Sequence, residues 1–319
     1  MYYPYFRGKQ FELIAIRETA HVFAESGFVP IIEPVREQIR GLHKALSALC
    51  DVGAEAIVII NPQHGELAED VTKIGELLEE EFEAHDNLMV GIRLHAELTS
   101  DAAIDLCAAA GERTIALIHA GFKDASAFVP RMTDFPNIST SVFLDDECGK
   151  LYQAKFQNHA NLVLVQDGCE RRPNRAHPEI EFFSDLHVTF SLGMEAPMTG
   201  IGDFLIVGDD YSESGGPAYT VAIHLTFIDP DQDEAMYIRH FLSDSRDTPK
   251  NPGGKFGEAL GKLIRAVEAE DSKILETSAV REFRDLYDRQ HYPGLGSVKK
   301  LSMIHHIETL ADFFAKRGD

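Results

Sequence analysis

The chain has 319 residues, 44% of them hydrophobic and 26% charged, enough for one large α/β domain or two ordinary ones with a sizeable core. Its 52 acidic residues against 30 basic ones give a formal charge of −22, which repels a phosphate backbone at long range, so direct binding to duplex nucleic acid is not expected. Four cysteines without a C-x-x-C pair, an N-terminus without a basic-then-apolar leader, and no apolar run near the ~20 residues of a membrane span point to a cytoplasmic protein with no disulfide framework and no membrane association.

In chain order, residues 2–6 (YYPYF) are β-prone and form a first strand. A helical pattern over 10–24 follows, with Leu13, Ile16, Ala20 and Phe23 on one stripe and Gly27 as its stop. Residues 28–34 (FVPIIEP) set a form that recurs: a short apolar run with no polar alternation, ended by a polar residue. Residues 56–62 (AIVIINP), 88–93 (LMVGIR), 114–119 (TIALIH), 139–145 (STSVFLD) and 161–167 (NLVLVQD) repeat it. Strands apolar on both faces are buried on both, as in parallel sheets. Helical patterns lie between them at 38–49, 67–83, 100–110 (capped by Ser100), 125–131 and 149–158.

Residues 168–202 are irregular, with a helix near 178–186, and DFLIV at 203–207 supplies an eighth strand. Alternating strand and helix close as a barrel or stay an open doubly wound sheet, and eight units in ~200–250 residues favour a (β/α)8 TIM-barrel-like fold. After Gly208, residues 219–228 and 236–242 read as an antiparallel hairpin, followed by helices at 256–269, 278–290 and 299–317. The expectation is one barrel-like domain over 1–319, with βα units to residue 210 and a hairpin and C-terminal helices over 211–319.

Parallel strands gather their C-terminal ends on one face, where barrel active sites are built. The residues there are Glu33, Asn61, Arg93, His119, Asp145, Asp146, Asp167, Asp209 and Asp210. Converging carboxylates hold a divalent cation or move protons, although any one of them also serves as a helix cap or turn acceptor. Arg93, ending an apolar strand, needs an anion, either one of these carboxylates or a substrate phosphate. A lone histidine such as His119, His64, His224 or His240 is more often structural than catalytic. No H-E-x-x-H, H-x-H or G-x-S-x-G motif is present. Arg171, Arg172 and Arg175 make a locally positive loop, either an anion-binding lid or a brace against the acidic surface. The stretch KNPGGK at 250–255 before a helix either cradles an anion or, more in keeping with its lack of a G-x-x-x-x-G-K-[ST] pattern, is a plain turn. Lys9 and Glu12, three apart on one helical face, pair with each other or reach Glu33.

The segments YFRGKQFELIAIRE, VPIIEPV and IVIINP, with AIHLTFI, IRHFLSD and GGKF later, resemble a little-characterised bacterial family that itself resembles the phage-associated beta-protein family. The likeness spans nearly the whole chain and is most specific in the N-terminal third, where Lys9, Glu12, Glu33 and Asn61 match its motif. The resemblance implies a barrel-like fold, a two-gene cassette and a partner protein from the neighbouring gene, and brings no established activity.

Two readings result. In the first, the barrel is a hydrolase or lyase for a phosphorylated or nucleotide-like substrate, in a two-gene phage-defence module. Glu33, Asp145, Asp167 and His119 are its catalytic candidates, and Lys9, Asn61, Arg93, Arg171, Arg172 and Arg175 bind substrate. Asp145 and Asp167 are then the ligands of a divalent cation. In the second, a non-catalytic barrel binds a partner protein through its acidic surface.

Overall fold

Eight parallel strands close on themselves in the computed structural model, which describes residues 1–69, 71–157, 161–190, 192, 198–212, 216 and 218–318. They are β1 (Tyr5–Phe6), β2 (Ile31–Ile32), β3 (Ala56–Ile59), β4 (Leu88–His95), β5 (Ile115–Ala120), β6 (Ile138–Leu144), β7 (Asn161–Gln166) and, after an excursion of the chain, β9 (Gly200–Asp203). Each pairs in parallel with its neighbour in that order. Closure comes from the segment just before β1: Tyr2 bridges Ile201 in parallel, Tyr3 N donates to Ile201 O at 2.7 Å, and Ile201 N donates to Met1 O at 3.0 Å. The sheet therefore has no free edge, which decides for a barrel over an open sheet.

The eighth strand differs from the expected 203–207. The observed GIGD strand is poor in bulky residues because the closing segment crowds it. A Cβ on Gly202 would lie 2.2 Å from Tyr3 O, and one on Gly200 would lie 2.6 Å from the Tyr3 ring. The apolar run after it begins with Phe204, which packs in the barrel interior, and Leu205 turns the chain with φ 51°.

Inward side chains alternate along the strands: Tyr3 and Tyr5, Val29 and Ile31, Ile57 and Ile59, Ile118 and Ala120, Val142 and Leu144, Val163 and Val165 share one buried cluster. Burying such side chains stabilises by roughly 1.5–3 kcal/mol each. The opposite alternation faces helices whose apolar stripes meet it. The helix expected over 10–24 is two, α1 (Gln10–Glu18) and α2 (Ala20–Ser26), the second ended by Gly27 in the left-handed region. Next come α3 (Arg40–Asp51), burying Leu42, Ala45, Leu46 and Leu49, and α4 (Thr72–Glu80), burying Ile74, Leu77 and Leu78. In α5 (Ser100–Ala109) the cap is Thr99, whose side chain accepts from Ala102 N, rather than Ser100. Short α6 (Ala125–Phe128) and α7 (Lys150–Gln153) complete the set; the expected helix over 149–158 ends at a residue outside the described ones.

The chain divides into two compact units, Met1–Asp167 with Thr189–Phe204, and Gly168–Val188 with Leu205–Asp319. The first is the barrel. In the second, β8 (Ile180–Ser184), where a helix was expected, joins β10 (Ala222–Asp229) and β11 (Ala235–Leu242) in an antiparallel sheet of order β10-β11-β8. With α8 (Leu186–Thr189) bridging the boundary in sequence, this unit is completed by α9 (Pro252–Val267), α10 (Ser278–Asp288) and α11 (Leu295–Arg317). Lys255 spends its ammonium on the carbonyls of Ala218, Tyr219 and Thr248, so KNPGGK is a braced turn. The adjacent His305 and His306 of α11 are fully buried and bond Thr277 and Thr226, which makes them structural. Among the described residues, no helix is long and apolar enough to cross a membrane.

Candidate functional site

Continuing the inward alternation past the apolar layers brings Arg7 after β1, Glu33 after β2, Asn61 after β3 and Arg93 within β4 to the C-terminal end of the barrel. Glu33 is 0% exposed and Arg93 2%. Tyr5 donates to Glu33 Oε2 at 2.8 Å, Arg7 Nη1 donates to the same oxygen at 2.5 Å, and Gln63 N donates to Oε1 at 2.9 Å. Arg93 Nη1 donates to Tyr5 Oη at 3.0 Å and its Nε to Gln63 Oε1 at 3.0 Å. Asn61 clamps the Arg93 main chain, accepting from its N at 2.7 Å and donating to its O at 2.9 Å. Glu147, just after β6, reaches Arg93 Nη2 at 3.6 Å with 36% of its side chain exposed. Gly8 lets this happen: at φ +61°, a Cβ there would sit 2.9 Å from Glu33 O.

Burial alone would raise the Glu33 pKa, but the Arg93 and Arg7 guanidiniums, the Gln63 amide and the Tyr5 hydroxyl outweigh it and hold it below the usual carboxylate range. Glu33 is thus ionised at neutral pH; it bonds the Arg7 guanidinium directly and meets Arg93 through the shared Tyr5 hydroxyl. Burial, reinforced by the Glu33 charge, pushes the Tyr5 hydroxyl up. For Arg93, burial works against the charge while Tyr5, Glu33 and Glu147 outweigh it and raise its pKa. A carboxylate whose pKa is depressed on folding contributes stability above its unfolded pKa of about 4.3 and loses it as pH falls through the folded value. The stability gap between wild type and Glu33→Gln is therefore expected to be constant from pH 7 to about 5 and to shrink below about 4. Urea unfolding across that range measures it.

The other sequence candidates are placed differently. His119 takes the helix-facing alternation of β5, stacks on Phe143 at 4.6 Å, and shares a 2.8 Å hydrogen bond with Tyr152. It belongs to the layer between barrel and helices, apart from the mouth, which is the structural outcome weighed for a lone histidine. Asp145 accepts from Gln166 at 3.3 Å. Asp167, half-buried, directly follows β7 and closes the first segment of the barrel unit. Lys9 stands at the N-terminal boundary of α1, and it is Arg7 that reaches Glu33. In the second unit Arg171 pairs with Asp210, and Arg172 with Glu170 and Glu181, so those two guanidiniums act as braces; Arg175 is exposed. Tyr5, Arg7, Gln63 and Glu147 are absent from the sequence candidates. For Tyr5 and Arg7 the signal was the period-two run Tyr3, Tyr5, Arg7.

Among the described residues, the group of three or more potential metal ligands with donor atoms within 4.8 Å of one another is His177, Glu181 and His240, all in the second unit. The expected pair Asp145 and Asp167 is not part of such a group. Burial and the His177 ring hold His240 down to about 4, against the opposing pull of Glu181. The same unit has an open cleft of about 620 Å³ whose cations are Arg239, Arg246, Lys262 and Arg265, two of them matched by Glu179 and Asp244.

No protein-family model and no curated protein matches the chain. Among solved structures it is similar to a truncated form of 3-deoxy-D-arabino-heptulosonate 7-phosphate synthase from Thermotoga maritima. The TM-score is 0.31 and the identity 16%, over 52% of this chain and 74% of that one. The barrel assignment rests instead on the strand pairing and its closure.

Proposed function

We propose that the protein is a barrel enzyme, a hydrolase or lyase, for a small phosphate- or carboxylate-bearing substrate bound at the C-terminal end of the barrel strands. The observation that carries this reading is the pair of guanidiniums, Arg7 and Arg93, buried there beside a buried carboxylate, Glu33. Two guanidiniums are fixed there within a protein of −22, Arg7 paired with the buried Glu33 and Arg93 with the exposed Glu147, and bidentate guanidiniums suit oxyanions. Glu33 is too acidic to hold a proton at neutral pH and is a positioning residue. Proton movement falls to Glu147, the exposed carboxylate beside Arg93, which must swing aside for an anion to reach that guanidinium.

The test is a thermal-shift and turnover screen of phosphorylated and carboxylated small molecules. The expected result is a ligand that raises Tm on the wild type, more weakly on Arg93→Lys, with kcat lost and binding no weaker in Glu147→Gln. A full screen with neither a shift nor turnover would sink the proposal. The fully satisfied bonding of Glu33 favours a second reading, in which the barrel is a non-catalytic partner in a two-gene phage-defence module. Co-purification with the neighbouring gene's product, unaffected by Glu147→Gln, is its signature.

A further inference from the structure

The hairpin register sets His224 directly opposite His240 on adjacent strands, with Glu181 of β8 across from Ile238, two residues from His240 on the same face. His177, four residues before Glu181, stacks its ring on His240 at 4.4 Å. Three donor atoms converge: Glu181 Oε1 lies 2.8 Å from His240 Nε2 and 3.4 Å from His177 Nδ1. We propose that His177, Glu181 and His240 form a binding site for a first-row divalent cation, best matched by zinc.

Zinc bonds of about 2.0–2.2 Å at tetrahedral angles hold donors roughly 3.3–3.5 Å apart. Of the two separations from Glu181 Oε1, one already has this value and the other reaches it by an opening of about 0.5 Å, and the donor atoms of all three residues lie within 4.8 Å of one another. Neighbouring groups fix the donors as outer partners do at metal sites. Arg172 holds Glu181 Oε2 at 2.7 Å and leaves Oε1 to the site. His224 Nδ1 meets His240 Nδ1 at 2.5 Å, so the His240 tautomer that donates there frees Nε2 for the metal. The His240 side chain is 2% exposed, whereas those of His177 and Glu181 are 12% and 21% exposed and give an ion entry from solvent. Two imidazoles, one carboxylate and an open position are the donor set of reactive rather than purely structural zinc sites. This site belongs to the second unit and is independent of the barrel proposal.

Tag-free full-length protein, stripped with a chelator and dialysed, is to be titrated with Co²⁺ as a spectroscopic probe and then with Zn²⁺ by calorimetry. The expected result is one Co²⁺ per chain with visible absorption bands of low-coordinate cobalt, displaced by Zn²⁺. Affinity should fall at least ~100-fold in His177→Ala and Glu181→Gln, and about 10–100-fold in Arg172→Ala. Both ligand substitutions fall on partly exposed side chains, and circular dichroism verifies their folding. Failure of the stripped wild type to bind either ion below about 1 mM overturns the proposal, as does affinity unchanged in both ligand variants or lost in Asp145→Asn/Asp167→Asn instead.

Discussion

Glu33→Ala is expected to destabilise the barrel by about 3–5 kcal/mol, because it removes the carboxylate bonded to the buried Arg7 guanidinium and one of the two carboxylates that offset the burial of Arg93. Arg7 and Arg93 have 4% and 3% of their side chains exposed, so water cannot take the place of the missing charge without opening the structure. The substitution also removes the acceptor of the Tyr5 hydroxyl and of the Gln63 amide. For a unit of this size the loss corresponds to a fall in Tm of roughly 6–20 °C. The chain has no tryptophan, so far-ultraviolet circular dichroism is the readout for urea unfolding. The double variant Glu33→Ala/Arg7→Met should cost at least about 1 kcal/mol less than the sum of its parts, because it removes one stranded charge along with its partner. A single-variant loss under about 1 kcal/mol would mean that the network is neither buried nor coupled as described.

Gly202→Ala is expected to cost about 3–4 kcal/mol through a different mechanism. The new methyl group would meet the Tyr3 carbonyl oxygen at 2.2 Å and Val165 at 2.9 Å. That oxygen is main chain and sits next to the Tyr3 N–H that bonds Ile201, so relief requires parting the strands that close the barrel. Overpacking costs up to about 3 kcal/mol and a lost hydrogen bond about 1 more. Gly75, in the middle of α4 with nothing within 4 Å of a built Cβ, supplies the comparison. Gly75→Ala should stabilise by about 0.5–1 kcal/mol by reducing the freedom of the unfolded chain. Equal unfolding midpoints for the two variants would show that the seam tolerates a side chain.

The strands most legible in the sequence are those buried on both faces. AIVI, LMVGIR, IALIH and NLVLVQ carry enough β-branched and aliphatic residues to mark themselves. The closing strand escaped because two of its four residues are the glycines that the neighbouring Tyr3 requires, and the adjacent DFLIV outscored it. Ile180–Ser184 escaped because Ile180 and Phe182 stand exposed, so no apolar face announced a strand.

In the site, Glu33, Asn61 and Arg93 were legible as polar residues ending apolar runs. Their roles were not, since a depressed pKa depends on which cations arrive from strands far off in sequence. The histidine cluster was recoverable in part: a loop that sets Asp229 against Ala235 also sets His224 against His240. Read one at a time, those histidines carried no signal.

The path of the chain out of the barrel after Asp167 and back at Thr189 has a consequence for synthesis on the ribosome. Ile180–Ser184 emerges before the last barrel strand, yet it pairs with Met236–Arg239, which are translated much later. The barrel gains its final strand while that early segment is still waiting for its mate, so an edge with unpaired amides persists in the nascent chain. No single cut in the gene yields either unit whole. A truncation ending after Phe204 carries the stranded segment with it, and one beginning at Leu205 produces a sheet lacking its outer member.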